Sequence, residues 1–164
     1  MTATSPIPIW LQLKRKHVRA DTILAKFGVE GPPVDIEGIA QWLGVPVLTV
    51  PSPGWSGAVE SDEKTGEATI WVAAEESAFR RRFTIAHEIG HLILHPAGEA
   101  YRDYPDFSGS KLEAQANGYA AALLMPLSML DAYASRFGPD IRRLARLFEV
   151  SEAAMNIRLG KIHG

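Results

Sequence analysis

An α+β fold, several helices around a small, mostly antiparallel sheet of about three strands, is predicted by three features of the sequence. Apolar residues recur at helical spacing toward both ends of the chain. Between them, VPVLTV, SGAVES and EATIWVAA are rich in β-branched and aromatic residues and are separated by turn-forming clusters. The chain of 164 residues, 46% hydrophobic and 22% charged, has the composition of an ordinary globular protein with one packed core.

The elements follow in chain order. Residues 1–8 are small, polar and proline-containing and read as a loose tail ahead of one domain spanning 9–164. Ile9 to Phe27 carries Leu11, Val18, Ile23 and Leu24 at helical spacing and reads as one helix. After Gly31-Pro32-Pro33, Asp35 stands where an N-cap belongs, and Gly44 closes a short amphipathic helix. The three strands come next, the second and third joined as a hairpin across Asp62 to Gly66. From Ser77 the period is helical again, with apolar residues around so much of the circumference that neighbours must cover more than one side. Pro96 to Ser110 reads as an excursion over the surface, and Lys111 to Met125 as an alanine-rich helix. Pro126 opens another helix that runs to Phe137. Asp140 and Ser151 cap two short helices, so that 139–164 has the outline of a helix-turn-helix.

Net charge and cysteine content narrow the chemistry. The formal charge of −2 gives no global reason to propose nucleic acid or an anionic membrane as partner. With no cysteine, thiolate metal sites and cysteine nucleophiles are excluded, and a metal site must use histidine and carboxylate. The basic run Lys14-Arg15-Lys16 follows the apolar Ile7 to Leu13 instead of preceding it, the wrong order for a signal peptide, and no stretch is apolar enough to span a membrane. The cytoplasm is therefore the expected location.

In TIAHEIGHLILHP, His87 and His91 are four apart with Glu88 directly after the first. On a helix, residues at this spacing lie about 40° apart around the axis and about 6 Å along it, so two imidazoles can meet one ion. A carboxylate beside them can take a proton from water and return it to a leaving amine. Two imidazoles and a carboxylate on an otherwise apolar helix are costly to bury without a partner. Gly90 lowers helix propensity and marks the close approach of another backbone. His95 lies about 12 Å along the axis from His87, too far to share an ion, and is assigned a supporting place or one at the helix C-terminus. A third ligand must come from Glu99, Asp103, Asp106 or Glu113, of which Glu113 alone is on an expected helix, and spacing does not decide among them.

RRFTIAHEIGHLILH followed by EAQANGYAAALLMP resembles the ImmA/IrrE family of metallo-endopeptidases, whose second pattern is met by Glu113, Ala116, Asn117 and Leu123 to Pro126. VDIEGIAQWLGVPV and FEVSEAAMNIRLGKI extend the likeness over roughly residues 20–162. The resemblance implies a zincin-like domain holding Zn2+ through His87, His91 and Glu113, with Glu88 as catalytic base. It also implies a protein substrate such as an XRE-type helix-turn-helix repressor. Tyr119 departs from the phenylalanine more usual there. Tyr101, Tyr104 and His95 are candidate transition-state donors. Two alternatives stand beside this reading: a zinc-holding regulatory module of toxin/antitoxin type without proteolysis, and a DNA-binding regulator. The second is disfavoured because six Lys or Arg between Arg136 and Lys161 are offset by Asp140, Glu149 and Glu152.

Overall fold

The structure, a computed structural model, describes residues 6–51, 54–96, 101–103 and 110–163. Within these the chain is α+β, as the sequence predicts. The helices are α1 (Ile9–Arg15), α2 (Ala20–Phe27), α3 (Ile36–Leu43), α4 (Ala78–Leu94), α5 (Lys111–Leu124), α6 (Leu127–Phe137), α7 (Ile141–Phe148) and α8 (Glu152–His163). The strands are β1 (Val47–Val50), β2 (Gly57–Asp62), β3 (Glu67–Ala73) and β4 (Tyr101–Asp103). Of the described helices, none is long and apolar enough to cross a membrane.

The strands form one sheet in the order β1-β3-β2-β4. The expected hairpin pairs β2 with β3, from Gly57 opposite Val72 to Asp62 opposite Glu67. β4 adds to the other edge of β2, also antiparallel, in a segment the sequence reads as surface excursion. β1 is the exception, running parallel to β3. No crossover helix is needed, because β1 ends and β2 begins at the same end of β3, Val50 opposite Ala73 and Gly57 opposite Val72. There Ala73 N–H donates to the Ser56 carbonyl and Ala74 N–H to that of Val50. β3 takes a central place with Ala68, Ile70, Val72 and Ala73 buried, whereas Leu48 on edge strand β1 is exposed.

The stretch expected as one N-terminal helix is two. α1 ends at Arg15, His17 adopts a left-handed φ of 47°, and α2 begins at Ala20. The break lets Trp10, Leu11 and Leu13 on α1 and Ile23 and Leu24 on α2 all reach the same core from differently directed axes. Trp10 also ties α1 to the hairpin, its Nε1–H donating to the Gly66 carbonyl at 3.1 Å.

α4 is the hub of the fold: it touches α1, α3, α5, β2 and β3, and every residue from Thr84 to Ile93 is buried. Its start is fixed by Ser77, which accepts from the Arg80 N–H. Its end is held from a distance by buried Lys14, whose ammonium donates to the carbonyls of Leu92, at 2.8 Å, and His95. A cation at these last carbonyls satisfies acceptors the helix leaves unpaired and suits the negative end of its dipole. Burial lowers the Lys14 pKa, and Glu63 opposes that shift.

The C-terminal helices begin at the expected caps, Asp140 accepting from Arg143 N–H and Ser151 from Ala154 N–H. Leu144, Phe148, Met155 and Leu159 enter the core cluster that α4 organises. Arg82 on α4 donates to the carbonyls of Phe148 and Glu149, and Arg158 donates to that of Met125.

Candidate metal centre

α4 presents His87 and His91 one turn apart on a buried face, their ring centroids 4.7 Å from each other. α5 crosses against this face, and Gly90 is the reason it can come so close. A Cβ at position 90 would stand 3.0 Å from Tyr119 Cβ and 3.1 Å from the Ala116 carbonyl. Two backbones in such contact bring the first turn of α5, and with it Glu113, over the histidines. Ser110 fixes that turn by accepting from the Glu113 N–H at 3.1 Å.

The polar atoms converge. Glu113 Oε1 lies 2.8 Å from His91 Nε2, and its Oε2 lies 3.1 Å from His87 Nε2. One ligand atom from each of His87, His91 and Glu113 falls within 4.8 Å of the others, a group able to hold one metal ion. Among the described residues, Glu113 is the carboxylate brought to the histidines. Asp103 has a described backbone on β4, while Glu99 and Asp106 lie outside the described residues.

The second ring nitrogens are also held. His87 Nδ1 is 2.7 Å from Asn117 Oδ1, His91 Nδ1 is 2.7 Å from His95 Nδ1, and His95 Nε2 is 3.0 Å from Gln115 Oε1. His95 does take the place at the helix end expected of it, as the residue directly after α4. Tyr104 and the side chain of Tyr101 lie outside the described residues.

Glu88 is fully buried, and neither of its carboxylate oxygens has a hydrogen-bond partner among the described residues. A carboxylate in that state is costly, and such orphaned groups are concentrated where chemistry needs them. Part of its pocket is made by a residue the sequence did not flag. Gly57, at the start of β2, faces Glu88 so closely that a Cβ there would lie 3.3 Å from Oε1 and 2.4 Å from the Thr84 methyl. A glycine at the start of a strand is a weak signal in sequence alone. Lys14 and Gln115 were likewise missed, since each reads as an ordinary solvated side chain.

Burial lowers the His91 pKa from 6.5 to about 3, with the charges of His87 and His95 adding to it. Between those values the unfolded chain binds the proton and the folded one does not. The contribution of His91 to the stability of the metal-free protein is thus full above pH 6.5 and is lost as pH falls toward 3. Urea midpoints in the presence of a chelator should drop from pH 7.5 to pH 5, and by less in His91→Gln; equal drops would remove His91 as the cause.

This is the architecture of a metallopeptidase-like domain: a helix carrying two histidines and a buried glutamate, and a second helix delivering a carboxylate. The IrrE N-terminal-like domain matches residues 40–160, and the chain belongs to the ImmA/IrrE family. It is 31% identical over 150 residues to the radiation response metalloprotease IrrE of Deinococcus deserti, covering 88% of this chain and 52% of that protein. To IrrE of Deinococcus radiodurans it is 40% identical over 85 residues, 49% of this chain and 26% of that one. The chain thus spans about half the length of the first relative and about a quarter of the second. A solved Mycobacterium tuberculosis transcriptional regulator superposes with a TM-score of 0.60 at 18% identity, over 94% of this chain and 52% of that one, which shows a shared fold.

Tyr119, the departure from the family pattern, has a structural use. Its ring is buried against α4 and its hydroxyl donates to the Val18 carbonyl at 2.9 Å, tying α5 to the corner between α1 and α2. Burial raises its pKa, with Asp21 adding to the effect. Tyr119→Phe should cost about 1 kcal/mol in a urea titration.

Proposed function

We propose that this chain is a zinc-dependent endopeptidase in which His87, His91 and Glu113 hold the ion and Glu88 is the catalytic base. The observation that carries the reading is the convergence of two imidazole nitrogens and one carboxylate beside a buried glutamate that nothing else among the described residues engages. Zinc takes such nitrogen and oxygen donors at about 2.0–2.2 Å in a tetrahedron, which separates ligand atoms by roughly 3.3 Å. The observed 2.8 and 3.1 Å, each to a different oxygen of Glu113, fall about 0.5 and 0.2 Å short of that. When bound, zinc acidifies water and polarises a peptide carbonyl. Glu88 takes the proton from the attacking water and returns it to the departing nitrogen, its dry surroundings holding the carboxylate in place. Gly57 borders the carboxylate on the side of β2, where a Cβ would lie 3.3 Å from Glu88 Oε1.

The proposed substrate is a regulatory protein in the cytoplasm, such as an XRE-type helix-turn-helix repressor. A regulatory module that holds zinc without cleaving is the alternative, and an intact, buried Glu88 weighs against it, since a purely structural site has no use for a base. Direct DNA binding through α7 and α8 is disfavoured because the six Lys or Arg between Arg136 and Lys161 are offset by Asp140, Glu149 and Glu152.

The test is metal analysis of purified wild type and Glu113→Ala, followed by incubation of each with a candidate repressor. About one equivalent of zinc and cleavage are expected for the wild type, and loss of both for Glu113→Ala. Full zinc affinity in Glu113→Ala would remove that ligand. Zinc without cleavage of any repressor would favour the non-proteolytic module.

A further inference from the structure

We infer that His95 and Gln115 are positioning residues that set the tautomer of His91, so that its Nε2 lone pair faces the metal position. The inference rests on the metal-centre reading above, not on proteolysis. It starts from the 2.7 Å contact between His91 Nδ1 and His95 Nδ1, where one nitrogen must carry a proton and the other must accept it. The far side of His95 decides which. Its Nε2 stands 3.0 Å from Gln115 Oε1, and a carbonyl oxygen can only accept, so His95 Nε2 carries the proton. His95 Nδ1 is then the acceptor and His91 Nδ1–H the donor, which leaves His91 Nε2 as a lone pair 2.8 Å from Glu113 Oε1, two acceptors that a cation between them reconciles.

His87 reaches the same tautomer by a shorter route. Its Nδ1 meets Asn117 Oδ1 at 2.7 Å, again an atom that can only accept, which leaves Nε2 for the metal. A single stretch of α5 therefore serves both histidines. With Ala116 packed at Gly90, helical spacing puts Glu113 and Asn117 on one flank of the contact and Gln115 on the other. Asn117 reaches His87 directly. His91 lies deeper, and His95 bridges from it to the rim where Gln115 is exposed. Lys14 completes the arrangement by holding the His95 carbonyl, which fixes where that ring departs from the end of α4. A metal-bound imidazole whose other nitrogen donates a proton is better oriented and more basic, and losing such a partner typically weakens metal binding about ten- to hundredfold.

The test reads the tautomer first. Long-range proton–nitrogen NMR of zinc-loaded protein labelled with 15N-histidine, at pH 7.5, should show a protonated Nδ1 and an unprotonated Nε2 for His91. A protonated Nε2 on His91 would overturn the inference. Zinc affinity, measured by competition with a chromophoric chelator, should fall about ten- to hundredfold in His95→Leu. His95→Gln, which keeps an acceptor for His91, should recover most of that loss. Because Gln115 is exposed, its variants should fold as wild type does. Gln115→Glu should hold zinc at wild-type affinity, and Gln115→Lys, which turns an acceptor into a donor, should weaken it. Wild-type affinity in both His95→Leu and Gln115→Lys would refute the relay. A relay found intact in a protein that cleaves no repressor would count against proteolysis and leave this inference standing.

Discussion

Glu88→Gln is expected to reduce peptide-bond hydrolysis by about two to four orders of magnitude while zinc content stays at the wild-type level. Glutamine has the shape of the carboxylate it replaces and fits the same slot against Gly57 and Thr84. It cannot take a proton from water at neutral pH. The folded protein should gain stability, or at least lose none. The native carboxylate is buried with no hydrogen-bond partner among the described residues, and exchanging a desolvated acid for a neutral amide relieves part of that cost. The expected signature is an inactive protein with full metal and an unchanged or higher urea midpoint. Cleavage at the wild-type rate would overturn Glu88 as base; loss of zinc would mean that Glu88 helps hold the ion.

The same residue shows why so much of the site could be read from sequence. His87, Glu88 and His91 are placed relative to one another by one helix, whose geometry is fixed by local rules, and Ser77 announces where that helix starts. Glu113 is different in kind. It lies 22 residues beyond His91, and spacing could not choose it from the other downstream acids. Only the contact of α5 with α4 at Gly90 selects it, and that contact is tertiary. The supporting residues were less legible still. Lys14 belongs to a run of three basic residues that looks solvated, and nothing local says that the end of α4 lies above it.

The fold follows the same division. The hairpin and the caps at Asp35, Asp140 and Ser151 depend on neighbouring residues and appear where expected. The break at His17 was not foreseen, because a non-glycine residue at φ 47° is uncommon and the flanking LKRKHVRAD is compatible with a helix. The parallel pairing of β1 also escaped the sequence. It follows from β3 lying between β1 and β2, so that the short stretch from the end of β1 to the start of β2 leaves β1 running with β3, a placement set by tertiary pairing.

Gly90→Val is expected to cost about 1–3 kcal/mol in stability and to weaken zinc binding at the same time. Helix propensity alone predicts the opposite for stability, since most residues improve on glycine inside a helix. Packing decides the sign. The first added carbon already stands 3.1 Å from the Ala116 carbonyl and 3.2 Å from its Cα, which are backbone atoms and cannot rotate away. Valine adds two methyl groups beyond it, so α5 must move outward as a body, and Glu113 moves with it. Gly118 supplies the contrast from within α5. A Cβ there meets nothing within 4 Å, so Gly118→Ala should stabilise by about 0.5–1 kcal/mol and leave metal binding alone. Urea titrations with and without zinc separate the two effects. For Gly90→Val the gap between the curves should narrow, because the ion is bound less tightly and stabilises the fold less. A Gly90→Val protein with the wild-type midpoint and the wild-type gap would show that α5 can shift without carrying Glu113 off the histidines. The close approach at Gly90 would then not be what aligns the carboxylate.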